Sequence, residues 1–194
     1  MPRLILSLCD LSGNWPKFYT PEDGYEVMLV DLKKGQDVRW LYHLGRPVHG
    51  ILAAPPCTAF ARSGAQYWPK KDEDGTTLEG LAIVDACLRA VAIYQPVFWA
   101  LENPVGRLRR YLGPPRMMFN PCDYGDPYTK KTCLWGEFNI PEKNPVEPVF
   151  IRDSVRGRAY SPIHWRTGGK SERTKELRSM TPLGFARAFR EANP

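Results

Sequence analysis

The chain has 194 residues, 43% of them hydrophobic and 25% charged, which suits one soluble globular domain with a real core. No apolar run approaches the roughly 20 residues needed to cross a bilayer, and Leu4 to Leu8 is too short for a secretory leader. The five cysteines form no Cys-x-x-Cys pair, which argues against a zinc site or disulfide framework and for a reducing cytoplasm. A net charge of +6 favours a polyanionic partner.

In chain order, Leu4-Ile5-Leu6-Ser7-Leu8 reads as a buried strand that ends in a turn-prone run from Asp10 to Asn14. Tyr25 to Val30 is a second strand with Asp31 at its carboxyl end. Val48 to Ala53 is a third, stopped by Pro55-Pro56. Leu81, Val84, Leu88 and Val91 recur at helical spacing, which predicts a helix over Leu78 to Tyr94 that Pro96 terminates. Val97 to Leu101 follows as another strand. From Ile140 to Arg178 the pattern gives way to Pro, Gly, Arg and Lys, read as a loop-rich basic excursion. Thr181 to Ala192 is a final helix, with Thr181 as N-cap and Pro182 in its first turn. No internal repeat is visible. The whole chain, 1–194, reads as a single domain with a reduced basic insertion at about 137–175.

Strands alternating with a helix predict an α/β fold with a largely parallel sheet flanked by helices. In such sheets ligands bind beyond the carboxyl ends of the strands. The polar punctuation falls at those ends: Asp10 to Asn14, Asp31, Pro56-Cys57 and Glu102-Asn103. Four clusters distant in sequence are thus expected on one edge of the sheet.

Cys57 follows two prolines just past a strand, on a stiff, exposed loop. A lone cysteine is most often a buried, inert thiol. With an ordinary pKa of about 8.5, a catalytic one needs help from its surroundings to ionise. Glu102-Asn103-Pro104 lies past the next strand, where a carboxyl alone would be an ordinary surface charge.

Together these two segments resemble the cytosine-5 methyltransferase family. Its nucleophile loop has a Pro-Cys pair, a Phe three residues on and a Gly seven residues after the Cys; here these are Pro56-Cys57, Phe60 and Gly64. Its Glu-Asn pair is matched by Glu102-Asn103. Tyr124-Gly125-Asp126-Pro127-Tyr128-Thr129-Lys130-Lys131-Thr132 is similar to the family's Tyr-Gly-x-Pro-Gln-x-Arg-x-Arg segment. Lys130 and Thr132 stand at the arginine positions, and Tyr128 replaces the Gln. Arg178 to Pro182, with Ala186-Arg187 and Phe189, resembles the segment supporting the family's target-recognition region.

The resemblance implies a Rossmann-like methyltransferase fold, S-adenosylmethionine as cofactor and cytosine carbon 5 as the methylated atom. It makes Cys57 the covalent nucleophile on carbon 6. Glu102 is the group that offsets charge on the ring, and Lys130 stands in for an orienting arginine. Pro55, Phe60, Arg62, Asn103 and Thr132 are implied at the substrate, with Arg62 a candidate phosphate contact. On the cofactor side, Cys9 to Asn14 keeps only Gly13 of the family's glycine-rich turn. The resemblance places Asp10, Ser12, Gly13, Asn14 and Pro56 there, Asp31 at the ribose hydroxyls and Asp37 at the adenine amino group. Trp15 is expected either near the cofactor or in the core.

Two features depart from the family. Only about Glu137 to Arg173 is available for target recognition, little to read base edges with. No counterpart of the family's last Gly-Asn segment precedes Pro194. The compact form resembles methyltransferase-like proteins of bacterial viruses. It implies DNA methylation with low sequence specificity; the alternatives are a free cytosine nucleotide as substrate, or a degenerate homologue that binds nucleic acid without catalysis. The basic run Arg152, Arg156, Arg158, Arg166, Lys170, Arg173 and Lys175 would serve a phosphate backbone or a nucleotide phosphate, or else forms a solvated face. Neither a metal nor a membrane is implied.

Overall fold

The computed structural model describes residues 1–152, 157, 159–166 and 172–194. Six strands form one sheet in the order β2-β1-β3-β4-β6-β5: β1 Arg3–Leu8, β2 Tyr25–Val30, β3 Gly50–Ala53, β4 Phe98–Pro104, β5 Met117–Phe119 and β6 Thr132–Glu137. β1 to β4 are mutually parallel, and β6 runs antiparallel to both its neighbours. The fold is Rossmann-like α/β. The chain steps from β1 outward to β2, then returns to place β3 on the other side of β1. At such a reversal, beyond the carboxyl ends of β1 and β3, open α/β sheets leave a crevice for ligands.

Side chains alternate across a strand, so a strand covered on both faces must be apolar at nearly every position. β1 follows this rule. Leu4, Leu6 and Leu8 enter one core with Ile51, Leu101 and helix α2 (Thr76–Tyr94), which contributes Val84, Cys87 and Ala90. Ile5 points the other way, into a second core with Leu52, Ala100, Trp15 and helix α6 (Leu183–Ala192). In α6, Phe185 and Phe189 bury completely, and Phe185 stacks on Phe119 with ring centroids 3.9 Å apart.

Several boundaries differ from the sequence expectation. β4 starts at Phe98, Val97 being 75% exposed, and runs on to Pro104, so Glu102 and Asn103 lie inside the strand. The cause is β6: the parallel pairing with β3 stops at Leu101, while antiparallel pairing carries β4 on through Glu102–Leu134, Asn103–Cys133 and Pro104–Thr132. α6 begins at Leu183 without a side-chain cap from Thr181, which is buried. The Gly184 amide in its first turn donates instead to Asp126 Oδ2 at 2.9 Å. The stretch expected to be loop holds a short ladder, β7 Ile151–Arg152 with β8 Ala159–Tyr160, and helices α4 Pro162–Arg166 and α5 Glu172–Ser179. α5 is rich in Glu, Lys, Leu and Arg, strong helix formers without an apolar period, which is why periodicity misses it. Arg156, Arg158 and Lys170 of the basic run lie outside the described residues, as do the side chains of Arg166, Arg173 and Lys175.

Candidate active site

Each wall of the crevice is a strand end. At the end of β1 the chain turns sharply: Cys9 adopts φ +59°, a left-handed conformation few non-glycine residues take, and its amide donates to Val30 O. Asp10 is buried and organises the turn. Its Oδ2 accepts from the Ser7 hydroxyl at 3.1 Å, and its Oδ1 accepts from the Ser12 hydroxyl at 2.8 Å and the Gly13 amide at 2.9 Å. Gly13 has φ +65°, and a Cβ there would lie 3.2 Å from Leu29. Asn14 reaches the Thr181 carbonyl at 3.4 Å. Trp15 is in the core, edge-on to Phe189.

At the end of β3 the Ala54 amide still pairs with Leu8 O, then Pro55 and Pro56 forbid further ladder bonds. Pro55 is buried, whereas Pro56 and Cys57 are exposed. The Cys57 carbonyl accepts two amides, from Phe60 and Ala61, both at 2.9 Å, so the residues after the thiol form a closed turn. Phe60 is fully buried beneath that turn against Gly80, so the structure sets it in the core under the loop instead of in the open crevice.

β4 supplies the opposite wall. Asn103 is fully buried and its Nδ2 donates to Pro55 O at 3.0 Å, tying the cysteine loop to the strand. Its Oδ1 is buried and has no hydrogen-bond partner among the described residues. Burial pushes the Glu102 carboxyl above its usual value; Lys130 opposes this and Asp10 adds to it. Cys57 is exposed as a residue, yet the protein around its thiol desolvates it and raises it; the Glu102 charge adds to this, and Lys130 and Lys71 oppose it. Cys57, Glu102 and Lys130 therefore share one electrostatic environment, although they come from three separate segments. Lys130 is further fixed by a 3.3 Å bond from Nζ to Met180 O. Thr132 is buried on β6, and its hydroxyl donates to Lys130 O at 2.9 Å.

The two outlying acids have local partners. Asp31, at the end of β2, caps a single 3-10 turn through Oδ1 and the Lys33 amide at 2.8 Å. Asp37 caps another, and Arg39 grips its carboxylate with Nε at 3.0 Å and Nη2 at 2.6 Å, holding it below the usual carboxylate range. Arg62 is exposed, on the 3-10 segment that follows the cysteine turn.

Sequence reasoning missed Arg107, which is 3% exposed and hydrogen-bonded through every arm to the cysteine loop and its supports. Neither periodicity nor motif marks it. Among the described residues, no group of three or more His, Cys, Asp or Glu could hold a metal ion. No described helix is long and apolar enough to cross a membrane.

No protein-family model and no curated protein matches the chain. Among solved structures it is similar to an Escherichia coli protein named as a "putative DNA modification methyltransferase encoded within prophage". The identity is 18%, the TM-score 0.48, and the match covers 81% of this chain and 55% of that one. The chain thus spans about half of that protein's length.

Proposed function

We propose that the chain is an S-adenosylmethionine-dependent methyltransferase acting on cytosine carbon 5, in DNA and with little sequence preference. The observation carrying this reading is that Cys57, Glu102 and Lys130, from three separate segments, act on one another electrostatically at the carboxyl ends of β3 and β4, where Cys57 is exposed and the carboxyl is raised.

The roles follow from the chemistry. Carbon 5 of cytosine is a weak nucleophile until a thiolate adds to carbon 6. Cys57 forms that S–C6 bond, which leaves electron density on carbon 5. Glu102, raised by burial and so biased toward its protonated form, donates a proton toward ring nitrogen 3 as negative charge develops there. Lys130 favours both the Cys57 thiolate and the ionised form of Glu102, so it eases the first step and takes part in returning the proton. Loss of the carbon 5 proton then re-forms the double bond and expels Cys57. Bound S-adenosylmethionine supplies the methyl group through its sulfonium. For a duplex substrate the base must first leave the stack.

The donor set fits that cofactor in part. Asp31 keeps Oδ2 without a hydrogen-bond partner among the described residues, which suits a ribose hydroxyl, and the Asp10–Asn14 turn and Pro56 follow the carboxyl ends of β1 and β3. Asp37 would contact adenine only by sharing or leaving Arg39.

The test is incubation with labelled S-adenosylmethionine and, separately, DNA, RNA and dCMP, followed by nucleoside analysis. Label on carbon 5 of deoxycytidine from DNA is expected, and none with Cys57→Ala, which still folds because the side chain is exposed. Label from dCMP alone would move the substrate to the free nucleotide. No label on any pyrimidine would overturn the reading and leave the degenerate binder.

A further inference from the structure

The turn that begins at Cys57 is held from outside. Its first carbonyl is satisfied within the turn, by Phe60 and Ala61 amides. The carbonyls of Ala59 and Phe60 point away and need other donors. Arg107 supplies both: Nε donates to Ala59 O at 2.9 Å and its own amide donates to Phe60 O at 2.9 Å. The remaining arms are anchored as well. Nη1 donates to Asp72 Oδ2 at 2.9 Å, on helix α1 (Trp68–Glu73), and Nη2 donates to Thr77 Oγ1 at 2.6 Å, in the first turn of α2. Thr77 in turn donates to Asp72 Oδ1 at 2.6 Å. The guanidinium carbon lies 5.0 Å from the centre of the Trp68 ring.

The backbone repeats the connection. Arg62 N donates to Val105 O at 2.9 Å, and Ala61 bridges to Gly106. Any Cβ on Gly106 would fall 1.9 Å from Phe60 O, so the two segments touch backbone to backbone. The segment that follows Glu102 in the chain therefore doubles back and grips the loop that carries the thiol.

We propose that Arg107 is a positioning residue: its guanidinium locks the Cys57 turn onto α1, α2 and the chain just past Glu102, and so sets the thiol against that carboxyl. A planar fork is required, since an ammonium has its three donors on one nitrogen and cannot span acceptors set apart on Ala59, Asp72 and Thr77. Substituting Arg107 leaves the turn held by its backbone contacts alone and loosens it, so the surrounding protein desolvates the thiol less. The inference rests on Cys57 being the reactive thiol of the proposed function.

The test reads Cys57 directly, without methyl transfer. Intact protein is treated with iodoacetamide across pH 6.5–10, and each cysteine peptide is quantified by mass spectrometry. In Arg107→Met, Cys57 is expected to alkylate about tenfold faster at pH 7.5, with its profile shifted to lower pH, and Arg107→Lys falls between. Cys87 and Cys133, both buried, stay at their wild-type rates, which separates a released turn from general loosening. Should Arg107→Met fail to fold, Asp72→Asn and Thr77→Val remove the outer anchors and are expected to give shifts of the same sign. Wild-type Cys57 profiles in all variants, or equal acceleration of Cys57, Cys87 and Cys133, would overturn the proposal. A shifted profile in a protein that methylates nothing would leave the positioning role standing and remove the methyltransferase reading.

Discussion

A carboxyl partly withdrawn from solvent and given no hydrogen bonds destabilises a fold once it is charged, and Glu102 is such a group. None of the described residues donates a hydrogen bond to it, and burial raises it above its unfolded value of 4.5. Above that unfolded value the folded chain still holds a proton that the unfolded chain has released. Stability therefore falls as pH rises through the window from 4.5 up to the raised folded value, and the loss is complete beyond it. Glu102→Gln removes the titration. Its melting temperature should exceed wild type at pH 8, with the gain shrinking to nothing below about pH 4. The same variant should lose about 10²- to 10³-fold in kcat, the usual effect of deleting a group that stabilises transition-state charge. Thermal unfolding over a pH series, with methyl-transfer rates beside it, checks both halves. A variant less stable at pH 8 would show Glu102 to be a structural anchor. At this scale the prolines that end β3 mark Cys57, whereas Glu102 was singled out only by resemblance to the family's Glu-Asn pair, since β4 runs on past it. Arg107 was not legible, since its acceptors lie 48, 35 and 30 residues away and only the folded chain brings them within reach.

Elements whose identity depends on an apolar period were legible, and those fixed by a distant partner were not. β1, β2 and α2 fall where the period places them, because their own residues cover a core. β4 was expected to stop at Leu101, for nothing local says that β6 pairs with three further residues. The start of α6 is similar. Thr181 and Pro182 make a plausible local cap, yet Thr181 is buried and Asp126, 58 residues upstream, takes the Gly184 amide. The backbone fixes this arrangement, because a Cβ on Gly184 would lie 1.9 Å from Tyr124 O. Asp126 thus caps the helix that fills the second core, and Asp126→Ala should cost about 1 kcal/mol, the usual value of an N-cap side chain. Urea unfolding should show a lower midpoint with an unchanged slope. Unaltered stability would return the capping role to Thr181.

At the scale of the whole molecule the α/β class and the convergence of strand ends could be read from alternation alone, while the antiparallel β6 and the edge strand β5 could not. β5 has only three residues, too few for a period, and the motif that ends at Thr132 says nothing of antiparallel pairing. Charge behaves differently again. The sequence puts its densest basic run at 152–175, and among the described residues the cations that act on the thiol are Lys130 and Lys71. Lys71 donates to Thr58 O and, like Lys130, acts on Cys57; Arg109 and Lys131 act on Cys133, the neighbour of Asn103 across β4 and β6. With the exposed Arg62, these side chains give the site a positive surround suited to several phosphates at once. A polyanion bound through about four of them would lose roughly 10²-fold in affinity between 50 and 200 mM salt, whereas a mononucleotide offers one phosphate and would change only a few-fold. KM for DNA measured across that range is therefore expected to climb steeply, with kcat nearly constant. A flat profile would mean that these cations do not track a backbone, and the free nucleotide would become the better substrate.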